Sequence, residues 1–262
     1  MPSSANTAPP ISPRVATPAA TTPAFSPLYQ QIKGLMLNGL HVGEWRPGEP
    51  IPSEIELAQR FQVSQGTVRK AIDELAAENL LIRRQGKGTF VATHAEQKVR
   101  FRFLKLVPNN GERGSEGPAT RRVVECKSVR APADVARALG LRSGEAVLLA
   151  RRVLSFGGLP VVLEDIWLPA AYFKGLSAER LSSHQGPMYA LFESEFNIRM
   201  VKADEKIRAV IATALQQELL NLAAGTPLLF VERVAFTYRD KPMELRRGYY
   251  RTDAHYYHNT LG

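Results

Sequence analysis

A very short turn between two helical patterns constrains the fold of this chain more than any other feature. Ser53 and Glu56 have the spacing of a capping box, which predicts that a helix begins there. Ser64 can cap the next helix, so that only Gln62-Val63-Ser64 separates the two. The inner face of the later helix consists of apolar residues at helical spacing, Val68, Ala71, Ile72 and Leu75. This arrangement predicts a helix-turn-helix.

The residues on either side complete a small domain. An apolar stripe from Leu28 to Met36 predicts a helix before the pair, with Ser26 and Pro27 at its beginning. Two short strands are predicted at residues 80–84 and 89–92, around a tip whose glycines allow a tight turn. The sequence therefore predicts a winged helix-turn-helix domain over residues 27–92.

The exposed side of this domain is suited to DNA. Arg69 can fork onto a guanine edge, and Gln65 and Thr67 can reach bases or phosphates. Helix N-termini offer backbone N–H groups to a phosphate, and the hairpin tip suits the neighbouring backbone or minor groove. The alternative is that these polar residues form only a solvated outer face. The predicted DNA-binding residues are Ser53, Ser64, Gln65, Thr67, Arg69, Lys70, Arg84, Gly86 and Lys87.

Composition limits what the rest of the chain can be. Its 262 residues are 44% hydrophobic, which suits one large domain or two modest ones. The net charge of +9 favours polyanionic partners without identifying one. No apolar run approaches the roughly 20 residues that span a bilayer, so we expect a soluble protein with no membrane partner. Residues 1–26 are predicted to be a disordered tail and residues 93–118 an interdomain linker.

Catalytic and metal chemistry find little support in the sequence. Cys126 lies in an alternating stretch typical of a packed strand, and a lone thiol suits a reducing cytosol. His255 and His258 are close together, but no cysteine or second histidine pair completes a metal-ligand set. We therefore expect no cofactor, no metal and no catalytic residue, and a cytoplasmic location.

The second half of the chain contains an internal repeat. Gly144 and Arg152-Val153 recur as Gly225 and Arg233-Val234, at an offset of 81 residues in both cases. Each copy follows a short Leu-rich helical piece and runs into a hairpin turn. The pattern predicts two related helix-hairpin halves that share one antiparallel sheet, the alternative being a chance similarity of short apolar runs.

Residues 27–92 closely resemble the DNA-binding domain of the GntR family of transcription regulators. The resemblance implies a homodimer that binds a palindromic operator in double-stranded DNA. Two arginines that commonly contact DNA in the family are replaced by Ile55 and Gln65, so we expect a different operator preference. The matching stretches are Pro27-Leu28-Tyr29-Gln30-Gln31-Ile32, Pro52-Ser53-Glu54-x-Glu56-Leu57-Ala58, Val63-Ser64-x2-Thr67-Val68-Arg69-Lys70-Ala71 and Arg84-Gln85-Gly86-Lys87-Gly88-Thr89-Phe90-Val91.

The predicted second domain, residues 119–262, resembles the UTRA effector domain of the HutC branch of this family. The resemblance implies an α+β fold with an antiparallel sheet, related to chorismate lyase, that binds a small molecule. It rests on Leu139-Gly140-Leu141 before Gly144-Glu145, Arg151-Arg152-Val153, Pro160-Val161-Val162-Leu163-Glu164, Leu168-Pro169, Met188-Tyr189, Pro227-Leu228-Leu229, Pro242-Met243-Glu244 and Tyr250-Arg251.

The resemblance also implies an effector site. Alternation places Glu244, Arg246 and Tyr250 on one face of a strand. An arginine can hold a carboxylate or phosphate, while carboxylates select hydroxyl or amine groups. Relatives that bind sugar phosphates tend to have an arginine and a serine where Leu154 and Pro187 stand here, so another small anion, such as an organic acid, is expected. The predicted effector-binding residues are Arg152, Glu164, Tyr189, Glu244 and Tyr250.

Together these features predict a sequence-specific transcription regulator, and in particular a repressor, controlled by a small anionic metabolite. For single residues a purely structural role is the alternative to effector binding: Arg152 could be an internal ion-pair partner and Tyr189 a core residue. Two other functions remain as alternatives. One is a chorismate-lyase-like metabolic enzyme that carries a winged helix, and the other is a non-specific nucleic-acid-binding protein.

Overall fold

A computed structural model of the chain describes residues 26–94, 106–109 and 119–259. The predicted tail therefore lies outside the described residues except for Ser26, and so does most of the predicted linker. The first described part contains three helices and a hairpin, as the sequence predicts. They are α1 (Leu28–Val42), α2 (Glu54–Phe61), α3 (Gln65–Ala77), β1 (Leu81–Arg84) and β2 (Gly88–Val91).

The helix ends follow from the capping residues. The Ser53 hydroxyl accepts a hydrogen bond from the Glu56 backbone N–H, and the Glu56 carboxylate accepts one from the Ser53 N–H, so the predicted capping box is present. Ser64 caps α3 by accepting from the Thr67 N–H at 3.2 Å. Asn79, just after α3, has φ +57°, the left-handed conformation expected where this helix ends.

These helices enclose one hydrophobic core, which confirms the winged helix-turn-helix. β1 and β2 pair antiparallel, with Leu81 opposite Val91. Tyr238, from the far end of the chain, also packs into this core, so the two parts of the protein touch there. The core includes Ile32, Met36, Leu57, Val68, Ala71, Ile72 and Leu75.

The second part is built on a six-stranded antiparallel sheet in the order β4-β5-β6-β9-β8-β7. This confirms the predicted α+β class. The strands are β4 (Thr120–Arg130), β5 (Ala146–Phe156), β6 (Leu159–Pro169), β7 (Lys202–Ile211), β8 (Pro227–Thr237) and β9 (Lys241–Tyr250).

Helices cover both faces of this sheet. On one face, α5 (Ala178–Ser183) contacts β4, and α5 and α6 (Met188–Phe196) share an apolar core with β5, β6, β8 and β9. On the other, α4 (Ala133–Ala138) and α7 (Ala214–Leu220) cover separate apolar patches. A single 3-10 turn, Tyr238–Asp240, joins β8 to β9. Among the described residues no helix combines the length and the hydropathy that crossing a membrane would require.

A short strand lies inside the predicted linker. β3 (Leu106–Pro108) pairs antiparallel with β10 (His255–Tyr257), and Leu106 packs beside Tyr250 of β9. Residues 106–108 are therefore part of the second domain's core, and the linker prediction is corrected at this point. Three residues are too few to show the alternation by which a strand is predicted from sequence.

The internal repeat corresponds to a repeated unit of structure. β5 begins at Ala146 and β8 at Pro227, and α4 begins at Ala133 and α7 at Ala214, both at the offset of 81 residues. Each half runs strand, helix, hairpin, and the halves meet where β6 pairs with β9. The sheet therefore consists of β4-β5-β6 joined to β9-β8-β7 across one seam, as the repeat predicts.

Candidate functional site

The N-terminal half of α3 presents polar side chains at the surface of the winged domain. Gln65, Arg69 and Lys70 are exposed, and Val68 is fully buried on the opposite side of the helix. The Arg69 side chain is 57% exposed, so its guanidinium is accessible to a ligand. This helix therefore has the two faces that the sequence predicts, one in the core and one available for contact.

Glu54, which the sequence analysis did not single out, organises this surface. Its carboxylate accepts hydrogen bonds from Arg69 Nε at 2.9 Å, Arg83 Nη1 at 3.0 Å and Gln65 Nε2 at 3.3 Å. Burial alone would raise the pKa of Glu54, but the hydrogen bonds from Arg69 and Arg83 outweigh it and lower that pKa. An ionised Glu54 thus links the beginning of α2 to α3 and to β1, and it orients the Arg69 fork.

The hairpin tip lies next to this surface in the fold. Gly86 has φ +68° and Gly88 has φ +100°, conformations that a side chain would strain, which explains both glycines. Lys87 is exposed between them, and the Arg84 guanidinium stacks on the Phe90 ring at 4.3 Å. The tip therefore presents two cations on a rigid turn.

The remaining predicted DNA-binding residues have local structural roles as well. Ser53 and Ser64 cap the two helices, and the Ser64 and Thr67 hydroxyls lie 2.9 Å apart. The Lys70 ammonium lies 3.9 Å from the Tyr29 ring centroid, so it contacts α1. All nine predicted residues fall on three segments, the beginnings of α2 and α3 and the hairpin.

A buried charged network lies on the face of the sheet that α6 covers. The Arg152 Nε donates to a Glu164 oxygen at 2.6 Å, between residues that are opposite each other on β5 and β6. Arg246 donates to the other Glu164 oxygen at 2.9 Å and to both oxygens of Glu244, at 2.8 and 3.0 Å. The Tyr189 hydroxyl donates to Glu244 at 2.9 Å. Four of the five predicted effector residues are therefore joined through Arg246.

Tyr250, the fifth predicted residue, borders the same network. It is buried, and its ring meets the Tyr257 ring edge-on at 6.1 Å. A Cβ on Gly248 would stand 2.5 Å from the Tyr250 ring, so only glycine leaves room for that ring. Burial and the charge of Glu164 raise the pKa of Tyr250 to about 12, so its hydroxyl stays protonated.

The network extends onto three strands, β7, β8 and β10, that the sequence analysis did not assign to the site. Arg233 of β8 is opposite Arg246, and its Nε lies 2.7 Å from Glu205 of β7. The Tyr257 hydroxyl donates to the other oxygen of Glu205 at 2.5 Å. The internal repeat could have indicated Arg233 as a site residue, because Arg233 is the counterpart of Arg152 in the second copy. Glu205 and Tyr257 had no signal, since each reaches the site only through tertiary contacts.

The network balances its charges. It contains three arginines, at positions 152, 233 and 246, and three glutamates, at 164, 205 and 244. Burial would raise the pKa of Glu164, but the charges of Arg152 and Arg246 lower it to about 2. The network therefore contains both cationic and anionic groups. A charged group of a ligand could take the place of one member of an internal ion pair.

The described residues offer no alternative site of metal or thiol chemistry. They include no group of three His, Cys, Asp or Glu residues placed to hold a metal ion. Cys126 is opposite Ala150 in the sheet, and burial, with the charge of Glu179, raises the pKa of its thiol. A protonated strand thiol is a poor nucleophile.

Two protein families match the chain. Residues 28–91 match the bacterial regulatory proteins of the gntR family, and residues 115–256 match the UTRA domain. The first match contains the helices and hairpin that carry the polar surface. The second contains all six strands of the sheet and the six charged residues of the network.

Known proteins align over both parts. The chain is 31% identical over 219 residues to the "Probable fructoselysine utilization operon transcriptional repressor" of Escherichia coli, covering 83% of this chain and 88% of that protein. It is also 31% identical to the repressor PhnF of Mycolicibacterium smegmatis, over 83% and 84% of the two chains. The solved PhnF structure superposes with a TM-score of 0.52 over 90% of this chain and 99% of that one, at 28% identity.

A solved effector domain gives a higher structural similarity. The ligand-binding domain of a GntR-family transcriptional regulator from Bordetella bronchiseptica is 49% identical to this chain and superposes with a TM-score of 0.59. It covers 61% of this chain, and the match includes 98% of that domain.

Proposed function

Because this chain belongs to the GntR family of bacterial transcription regulators and carries the UTRA domain of its HutC branch, we propose that it represses genes by binding a palindromic operator as a homodimer. Its relatives are transcriptional repressors, so the chain is a DNA-binding regulator and not an enzyme. A small molecule that enters the charged network controls the binding. The regulator acts on the chromosome in the cytoplasm.

The observation that carries the DNA-binding proposal is the exposed guanidinium of Arg69, held by Glu54 on the outer side of α3. An arginine so placed can donate two hydrogen bonds to the O6 and N7 atoms of guanine in the major groove. Gln65 lies one turn earlier on α3 and is exposed, where it can reach an adenine or a phosphate. Arg69 and Gln65 are therefore the residues that we expect to read bases.

The other predicted contacts are with the DNA backbone. Ser53 and Ser64 stand at helix N-termini, where backbone N–H groups and the helix dipole favour a phosphate. Lys87 and Arg84 project from the hairpin, Gly86 lets that hairpin approach closely, and Lys70 and Thr67 flank Arg69 on α3. Such contacts set position and affinity rather than sequence preference.

The effector site proposed here is the network of Arg152, Glu164, Tyr189, Glu244 and Tyr250, together with Arg246. The arginines suit a carboxylate or another small anionic group of the effector. The glutamates require donors, so the same molecule carries hydroxyl or amine groups as well. Every charge in this network has an internal partner, which means that an anion without donors would leave a buried carboxylate uncompensated.

The proposed domain division follows from these sites. Residues 27–92 form the DNA-binding domain and residues 119–262 the effector domain, to which residues 106–108 add a strand. The segment 93–118 connects them, and Thr93 and His94 at its beginning already contact α6.

The test begins with the purified full-length protein and fragments of its own genome. Enriched fragments are expected to share a palindrome, and a nuclease footprint on it is expected to be two-fold symmetric. Replacement R69A is expected to weaken operator binding by roughly 1–3 kcal/mol and to relax base choice, because one bidentate contact is lost.

The control is R60A, since Arg60 is an exposed arginine on α2 that pairs with Glu44 outside the proposed surface. It should bind the operator within roughly 0.5 kcal/mol of the wild type. Wild-type affinity in R69A would remove α3 as the base-reading element. Equal binding of the wild type to all fragments would favour a non-specific nucleic-acid-binding protein.

A further inference from the structure

Arg199, between α6 and β7, contacts the end of α3 across the boundary between the two domains. Its Nη2 donates to the Asn79 carbonyl at 2.8 Å and its Nη1 to the Leu80 carbonyl at 3.1 Å. The residue is 4% exposed. The guanidinium adds a donor to the carbonyls of two residues that follow α3, one of which, Leu80, also accepts from the Ala92 N–H, and it places a positive charge near the C-terminal end of the helix dipole.

Glu193 of α6 holds the other side of the same boundary. Its Oε2 accepts hydrogen bonds from the Thr93 hydroxyl at 2.7 Å and the His94 backbone N–H at 3.0 Å. Its Oε1 lies 3.4 Å from Arg199 Nε. Thr93 and His94 lie just after β2, so Glu193 binds the segment that leaves the hairpin, and Arg199 binds two of the residues that connect α3 to β1.

The surroundings of this ion pair exclude water. Tyr238, whose hydroxyl lies 3.5 Å from Arg199 Nη1, is 8% exposed and packs into the core of the winged domain. Val201 packs against the same core, and Arg239 donates a hydrogen bond to Asn38 of α1. Removing one member of a buried pair leaves an uncompensated charge, so the Glu193–Arg199 contact favours one discrete arrangement.

Helix α6 also carries Tyr189, which belongs to the charged network. Tyr189 and Glu193 are four residues apart and therefore lie on the same side of the helix. The Tyr189 ring lies 5.3 Å from the His94 ring, and the ring nitrogen of His94 lies 2.7 Å from the Met200 carbonyl. One helical turn thus separates a hydrogen bond to Glu244 from the contacts that hold the DNA-binding domain.

We propose that Glu193 and Arg199 are positioning residues for DNA binding, and that they transmit the state of the charged network from Tyr189 to the end of α3. The inference rests on the proposed function and adds to it the residues that couple the two sites. A ligand that draws Glu244 away from Tyr189 shifts α6, and the shift reaches α3 through this pair and the wing through Thr93 and His94. A buried connection of this kind carries reciprocal coupling when effector binding moves it to a second arrangement.

The first test uses variant R199K of the full-length protein, which removes the planar guanidinium but keeps the positive charge. A lysine cannot bind both carbonyls and Glu193 at once. We expect backbone amides at residues 76–80 to exchange hydrogen about fivefold faster or more, and the operator Kd to rise by a similar factor. The matched control is R151K, because Arg151 pairs with Asp165 within the effector domain and should leave both quantities unchanged.

The second test measures coupling through a double-mutant cycle of Y189F and R199K. Y189F removes the hydroxyl that binds Glu244 and is expected to change exchange at residues 93–94 and 76–80 in the wild-type background. In the R199K background, Y189F should no longer change amide exchange at residues 76–80. The operator Kd of the double variant should differ by about fivefold or more from the value expected if the two single effects multiplied.

The inference is overturned when R199K exchanges like the wild type at residues 76–80, or when the two effects are independent. The exchange measurements need no DNA. They therefore test the coupling even where the wild type shows no operator preference, an outcome that would refute the proposed function alone. If both variants fold poorly, E193Q provides the same test from the other partner, since it keeps the shape and weakens the pair.

Discussion

At the scale of single residues, Arg246 determines the geometry of the charged network. It binds Glu164 on one neighbouring strand and Glu244 on its own, and its guanidinium lies 5.4 Å from the Tyr189 ring centroid. A planar group with five donors can serve all three partners at once, which a lysine cannot do. Sequence alternation put Arg246 on the correct face, but no local pattern shows that two carboxylates converge on it.

Glu164 gives a prediction on stability and pH. Its pKa of about 2 in the folded protein lies below the usual value of 4.5, so ionised Glu164 stabilises the fold above about pH 4.5. That contribution, about 3 kcal/mol, is lost as the pH falls from 4.5 towards 2. The free energy of unfolding, measured in urea at a series of pH values, should therefore decrease over this range in the wild type.

Variant E164Q should show a smaller dependence over the same range. At pH 7 it should be less stable by about 3–5 kcal/mol, because Arg152 and Arg246 lose a buried anion. The control is E145Q, since Glu145 pairs with Arg142 at the surface. This substitution should lower the free energy of unfolding by about 1 kcal/mol or less. If the pH slopes of E164Q and the wild type coincide, the pKa of Glu164 is not lowered in the folded protein.

At the scale of elements, features encoded by local sequence were predictable. The capping box at Ser53, the cap at Ser64 and the left-handed residue Asn79 fix the helix ends, and each depends on neighbours within a few residues. The contact of Glu54 with Arg69 joins two helices, and the strand at 106–108 exists only because residues 255–257 pair with it. These features depend on the tertiary fold and have no local signal.

The hairpin gives a prediction that separates affinity from base choice. Lys87 is exposed at its tip, so replacement K87A should weaken binding to operator and random duplex alike. The slope of log Kobs against log salt should fall in magnitude by about one, because one phosphate contact is lost. Filter binding at several salt concentrations measures both quantities.

K127A is the control for the hairpin, since Lys127 is an exposed lysine on β4 that pairs with Glu125 away from the winged domain. It should leave the salt slope unchanged. A K87A protein that loses operator binding while it binds random duplex normally would show that Lys87 reads bases instead.

At the scale of the whole molecule, DNA binding and effector binding should be separable by mutation. Replacement R152A removes one arginine of the network, which lies far along the chain from α3. We expect R152A to bind the operator but to lose the response to the effector, because the anionic group loses a partner. Metabolites handled by genes beside the recovered operators are the compounds to test, by their effect on operator binding.

R142A provides the matched control for this experiment. The Arg142 side chain is 91% exposed and lies outside the network, so its loss should leave the response intact. A normal response in R152A would place the effector elsewhere in the domain.

The composition of the charged network was predicted in part. Arg152, Glu164, Tyr189 and Glu244, which the family resemblance groups together, lie in one network, and Tyr250 borders it; that they bind an effector stays a prediction. The equal number of glutamates and arginines was not predicted, because the predicted set held one arginine and two glutamates. Arg246 equalises the two, and Glu205 and Arg233 then add one charge of each sign from β7 and β8. Charge balance is a property of the assembled sheet.

The seam between the two halves affects how a bound effector would be oriented. Arg152 and Arg233 are equivalent in the two copies, yet the residue opposite the first is Glu164 and the residue opposite the second is Arg246. Two halves with identical residues would bind a ligand equally well in either orientation. Here, however, the two halves present different side chains on the two sides of the seam. Under the proposed function, an effector that spans the seam meets different partners at its two ends, and we expect it to bind in one orientation.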